Sequence, residues 1–139
     1  MQALVDDKGQ DDSFFIDSAG TGSWHVGDRA DVRMRRHAEK RGLKLTSISR
    51  QLTVADLDKF DFIVCMDRDN LRNVRKLDID DEYDDKILLM TDFCTHCTEK
   101  EVPDPYYGGD AGFERVLDIL EDACNGLFEY VIQNKSKDR

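Results

Sequence analysis

Apolar residues fall along this chain in two kinds of run. Residues 14–16 (FFI), 61–66 (DFIVCM) and 86–90 (KILLM) are short apolar blocks bounded by polar or turn residues. The last two lack polar alternation, as expected of parallel strands buried on both faces. Between and after them the apolar positions recur at three and four residues. From Ala111 onward, Phe113, Val116, Leu117, Leu120, Ala123, Cys124, Leu127 and Val131 form one continuous stripe, which predicts a long helix docked along a core. Residues 28–41 predict a helix with Ala30, Met34, His37 and Ala38 on one face, closed by Gly42. Thr53 is a candidate cap for a short helix over 54–60, and Asp67 for one that runs to Leu77. Residues 1–8 predict a helix stopped at Gly9. The order β-α-β-α-β-α predicts one α/β domain over 1–139 with a largely parallel sheet. Ligands of such sheets bind beyond the carboxyl ends of the strands, so the loops at 17–27, 67–70 and 92–109 are expected to share the functional rim.

Composition narrows the partners. The 139 residues carry 20 Lys+Arg against 30 Asp+Glu, a formal charge of −10, which would repel nucleic acid and anionic membranes alike. An anionic ligand therefore needs a local positive site. No apolar run approaches the roughly 18 residues of a membrane span, and the polar, acidic start is unlike a signal peptide. Four cysteines without a secretory signal predict free thiols in a reducing, cytoplasmic setting.

Three clusters could carry chemistry. In Val102-Pro103-Asp104-Pro105-Tyr106-Tyr107-Gly108-Gly109 an aspartate stands between two prolines, which stiffen its surroundings. Two tyrosines can wall a flat pocket beside it, and the glycine pair allows a sharp turn into the last helix. Asp104 is then a candidate general acid over an aromatic substrate. The same run also suits an exposed turn. In Asp17-Ser18-Ala19-Gly20-Thr21-Gly22-Ser23-Trp24-His25 the single tryptophan occupies a loop, where it can either wall a ligand or cover a core edge. Cys94-Thr95-His96-Cys97 is a CxxC, but no second pair completes a zinc set, and the helix-start setting of a redox dithiol is missing. The expected reading is two surface thiols, with Cys65 and Cys124 inert in the core. Arg35-Arg36 and the acidic cluster Asp80, Asp81, Asp84 and Asp85 are expected on solvated faces.

The stretches FFIDSAGTGSWHVGDRADVRM, FDFIVCMDRDN and VPDPYYGGDAGFERVLDILEDAC together resemble the low-molecular-weight protein tyrosine phosphatases, in the family's order and over essentially the whole chain. The resemblance implies a four-stranded parallel sheet with helices on both faces. It also implies hydrolysis of phosphotyrosine proteins or small aryl phosphates, an acid phosphatase activity needing neither metal nor cofactor, in a cytoplasmic monomer. A cysteine thiolate would attack phosphorus, with loop amides and an arginine holding the phosphate. By match to the family motif Asp104 is the acid, Trp24, Tyr106 and Tyr107 bound the substrate, and Ser18 braces the phosphate loop. One departure stands out. The family's Cys-x5-Arg-Ser loop is not found: six residues after Cys65, Cys94, Cys97 and Cys124 stand Leu71, Lys100, Pro103 and Tyr130. The chain is accordingly expected to begin inside the family's first helix, lacking on the order of twenty residues and the first strand of the sheet. The enzyme reading stands against a non-catalytic binding form and, more distantly, an arsenate reductase with a cysteine relay.

Overall fold

The structure, a computed structural model, describes residues 1–9, 14–22, 27–103 and 109–137. These divide into two compact units, residues 17–89 and residues 1–16 with 90–139.

The first of these units is built on a parallel strand pair. β1 (Ile63–Cys65) and β2 (Ile87–Leu89) align Ile63 with Ile87, Val64 with Leu88 and Cys65 with Leu89. Three residues per strand cannot stand alone in water. What sustains them is a buried cluster of Leu57, Ile63, Cys65, Val74 and Ile87, widened by Leu52, Phe60, Leu71, Leu77, Tyr83 and Leu89. The helices α2 (Val32–Lys40), α3 (Val54–Lys59) and α4 (Arg68–Leu77) each start where a side chain satisfies the first amides. Asp31 accepts from the amides of Arg33 and Met34. Asp67 accepts from Asn70, and Thr53 with Asp56 forms a reciprocal capping box. At the other end of α2, Gly42 takes φ +78. Its amide reaches the Glu39 carbonyl while that of Leu43 reaches Ala38. Those two bonds make a Schellman stop, which a left-handed glycine permits at little cost.

The other unit contains α1 (Gln2–Asp7), a 3-10 turn at Met90–Phe93 and α5 (Gly109–Lys137). Most of the stripe read from the sequence is the buried face of α5: Phe113, Val116, Leu117, Ala123, Cys124, Leu127 and Val131 are buried, joined by Ile119 and Phe128, while Leu120 is only partly buried. Val5 of α1 is also fully buried, and Phe14 stacks on Phe128 with ring centroids 5.6 Å apart.

Three expectations need correction. No strand forms at Phe14-Phe15-Ile16; Phe14 packs against an α5 ring instead, and Phe15 is exposed. The sheet of the described residues has two strands rather than four. Isolated bridges at Gly20–Gln51 and Arg29–Ile48 supplement it. A strand exists only through its partner, and β1 and β2 pair with each other. Cys94 and Cys97 are not free thiols but a disulfide. Among the described residues no helix is long and apolar enough to cross a membrane.

Candidate functional site

Of the residues singled out by sequence, Ser18 lies in the described part, whereas Trp24, Asp104, Tyr106 and Tyr107 lie outside the described residues. The described residues on either side of these segments are held by the following contacts.

Ser18 is exposed, and its amide donates to the Asp17 carboxylate at 2.8 Å. The Asp17–Gly22 loop is tied down by the stretch 48–52. The Gly20 amide donates to the Arg50 carbonyl and the Leu52 amide to the Gly20 carbonyl, both at 2.8 Å. Beyond residues 23–26 the same stretch takes up the chain again: the Gly27 amide donates to the Ser49 carbonyl and the Ser49 amide to the Asp28 carbonyl, both at 2.7 Å. Both flanks of the Trp24 segment are therefore anchored to one strip of backbone. Thr21 also accepts a bond from Asn73 on α4 at 3.4 Å.

The hub of this arrangement is Arg50, which sequence reasoning did not mark. Its guanidinium grips Asp56 with two bonds, Nη1 to Oδ2 at 2.9 Å and Nη2 to Oδ1 at 3.1 Å, while Nε reaches Asp17 at 3.0 Å. One cation thus joins the capping box of α3 to the loop that carries Ser18. The fork geometry of arginine suits this better than a lysine point charge. The Arg50 hydrogen bonds, helped by the Thr53 amide, pull the Asp56 carboxyl down to about 2 against the opposing effect of burial. An arginine three residues ahead of a Thr-x-x-Asp cap was the signal available in the sequence.

In the other unit the chain approaches and leaves residues 104–108 from fixed points. Val102 is buried, and Gly109 opens α5 at φ +58, as the glycine pair led us to expect. Before that, Thr91 Oγ1 donates to the Lys100 carbonyl at 2.8 Å, and Arg115 of α5 is paired with Glu99. The Asp122 carboxylate receives the amides of Thr95, His96 and Cys97. The remaining cysteines behave as expected of core residues. Both are buried, and burial, with Asp67 nearby, pushes the Cys65 thiol up to about 11, which leaves it no thiolate at neutral pH. Asp80, Asp81, Asp84 and Asp85 are exposed, with Asp84 3.8 Å from Arg75; Arg36 is exposed too, while Arg35 bonds the Ala30 carbonyl at 3.0 Å.

The parallel strand pair, the helices around it and the anchored loops define an α/β protein with its candidate chemistry on loops. Comparison with known proteins makes the class definite. The family model for low molecular weight phosphotyrosine protein phosphatases matches residues 1–137. A candidate low molecular weight protein-tyrosine-phosphatase of Synechocystis is 45% identical over 127 residues, covering 91% of this chain and 81% of its own. The low molecular weight phosphotyrosine protein phosphatase of Rattus norvegicus is 35% identical over 130 residues, or 93% of this chain and 82% of its own. The crystal structure of a protein tyrosine phosphatase from Entamoeba histolytica, with Hepes in its active site, superposes with a TM-score of 0.89 at 42% identity. That superposition covers 96% of this chain and 85% of that one. The chain belongs to the low molecular weight phosphotyrosine protein phosphatase family, a family of hydrolases.

Proposed function

We propose that this chain supplies the proton-donating loop and scaffold of a cytoplasmic, monomeric protein tyrosine phosphatase working through a phosphocysteine, with the nucleophilic loop outside these 139 residues. The thiolate attacks phosphorus and the bond to the aryl oxygen breaks. Asp104 gives its proton to that oxygen, since a phenolate with a conjugate acid of pKa about 10 leaves poorly at neutral pH. The resulting carboxylate then takes a proton from the water that attacks phosphorus and releases the cysteine. Trp24, Tyr106 and Tyr107 bound the aryl ring, and Ser18, on a loop tied down through Arg50, braces the phosphate loop. Neither metal nor cofactor is needed.

The observation that carries this reading is the retention of Pro103-Asp104-Pro105-Tyr106-Tyr107 in a chain matched to the family from residue 1 to 137, in which no cysteine is followed six residues later by arginine. A binding form of the same fold would need the aromatic wall but not the proton donor, which favours the enzyme. For the 139 residues themselves the expected result is no hydrolysis of p-nitrophenyl phosphate above the buffer rate. Robust, saturable turnover by the purified 139-residue chain would overturn the reading.

A further inference from the structure

Cys94 and Cys97 stand apart from the residues assigned to phosphate chemistry. They are joined as a disulfide with Cα atoms 5.4 Å apart, and both are half-buried rather than sealed in the core. The turn that carries them is built by other means. From the middle of α5, Asp122 Oδ1 accepts the Thr95 amide at 3.0 Å and the Thr95 hydroxyl at 2.8 Å; Oδ2 accepts the amides of His96 and Cys97, each at 2.8 Å. None of these four bonds uses sulfur, so they shape the turn in either oxidation state. On the preceding residue, the Phe93 carbonyl lies so close to Gly126 of α5 that a side chain there would collide with it. A turn held this way keeps the two sulfurs adjacent and gives them a high effective concentration for closure.

Asp122 lies beside the sulfurs as well as under the turn. The Thr95 amide foremost, then those of His96 and Cys97 and the Thr95 hydroxyl, hold its carboxyl well below the usual range, so it is anionic at neutral pH. An Asp122 oxygen and the two sulfurs all lie within 4.8 Å of one another. The carboxylate is spent on the bonds that shape the turn, so its removal takes away the acceptors that keep the two sulfurs adjacent.

We propose that Cys94 and Cys97 are a reversible thiol–disulfide site organised by Asp122, opened by a dithiol reductant and closed by a disulfide oxidant. On closing, one thiol attacks the oxidant to form a mixed disulfide, and the second displaces it. The pair loses two electrons and two protons, and the oxidant leaves as two thiols. Opening is the reverse. The state of the site is read by counting thiols rather than by turnover, so failure of this proposal leaves the phosphatase reading untouched. The pair sits seven residues ahead of Asp104, on the segment that Asp122 ties to α5.

The test equilibrates the full chain in glutathione buffers of graded reduced-to-oxidised ratio, quenches in acid, alkylates the unfolded protein with N-ethylmaleimide and weighs it intact. Four adducts are expected at the reducing end and two at the oxidising end. Peptide mapping should place the loss at Cys94 and Cys97, in one step that dithiothreitol reverses. Asp122→Ala should move the midpoint about tenfold or more toward oxidising ratios, with Asp122→Asn between it and the parent, as the turn loses its acceptors. Brief alkylation of the native protein checks folding, since buried Cys65 and Cys124 should stay unmodified. If Asp122→Ala exposes them, Asp122→Asn is the variant that decides. Four adducts at every ratio, a lasting single glutathione adduct, or pairing with Cys65 or Cys124 would overturn the proposal. So would unchanged midpoints in both Asp122 variants. Stoichiometric retention of Zn²⁺ alone by the reduced chain, blocking oxidation, would overturn it in favour of a metal site.

Discussion

Arg50 shows how much one side chain can organise. It is partly exposed, yet it holds the buried Asp56 through two bonds and the exposed Asp17 through a third. Because the Asp56 carboxyl titrates near 2 when folded and near 4 when unfolded, its ionised form stabilises the fold above about pH 4, and that contribution fades as pH falls toward 2. Replacing Asp56 with Asn should therefore lower stability by about 2 kcal/mol at pH 7, the scale of hydrogen bonds to a charged group. Urea unfolding should show the gap between parent and variant roughly halved at pH 3. A gap that stays constant from pH 7 to pH 3 would mean that the Arg50 pair is not what holds this carboxyl.

At the scale of elements, a small feature constrains α5. Gly126 has no room for a methyl group, since the Phe93 carbonyl occupies the space where its Cβ would point. Alanine would gain up to about 1 kcal/mol in helix propensity, but would force helix and 3-10 turn apart at a cost of about 1–3 kcal/mol. Gly126→Ala should consequently lower the thermal midpoint, whereas an exposed α5 position such as Asn125→Ala should not; equal or raised stability of Gly126→Ala would show that the turn yields freely. Periodicity and caps made most of these elements legible. The α5 stripe, the Asp67 and Thr53 caps and the Gly42 stop all rest on local rules that act within a few residues. What stayed hidden depends on partners far along the chain. Phe14-Phe15-Ile16 reads as a strand until Phe128 claims Phe14. CxxC spacing permits free thiols, metal or disulfide until Asp122, 25 residues beyond Cys97, organises the turn. Arg50 belongs to no periodic pattern at all. The roles proposed for Asp104, Tyr106, Tyr107 and Trp24 rest on the family likeness, because a proline-bracketed acid is equally good as a turn.

At the scale of the whole chain, the 139 residues carry a formal charge of −10, which gives a phosphate dianion no long-range attraction. Phosphate can be held only where several donors converge on it, the role the family gives to loop amides and an arginine after the nucleophile. In the proposed function acid and cradle are thus separable: one would determine how the leaving group departs, the other whether the phosphate is held at all. This separation gives the general-acid assignment its test. In a longer form that carries Cys-x5-Arg-Ser ahead of residue 1, Asp104→Ala should lower kcat for phenyl phosphate by about 10²–10⁴-fold, the range of general acid catalysis. With p-nitrophenyl phosphate, whose leaving group is far more acidic, the loss should be much smaller, because that phenolate departs with little need of a proton. The dependence of rate on leaving-group pKa should steepen accordingly. An equal loss with both substrates would instead assign Asp104 to binding or to loop structure, and the proton would have to come from elsewhere.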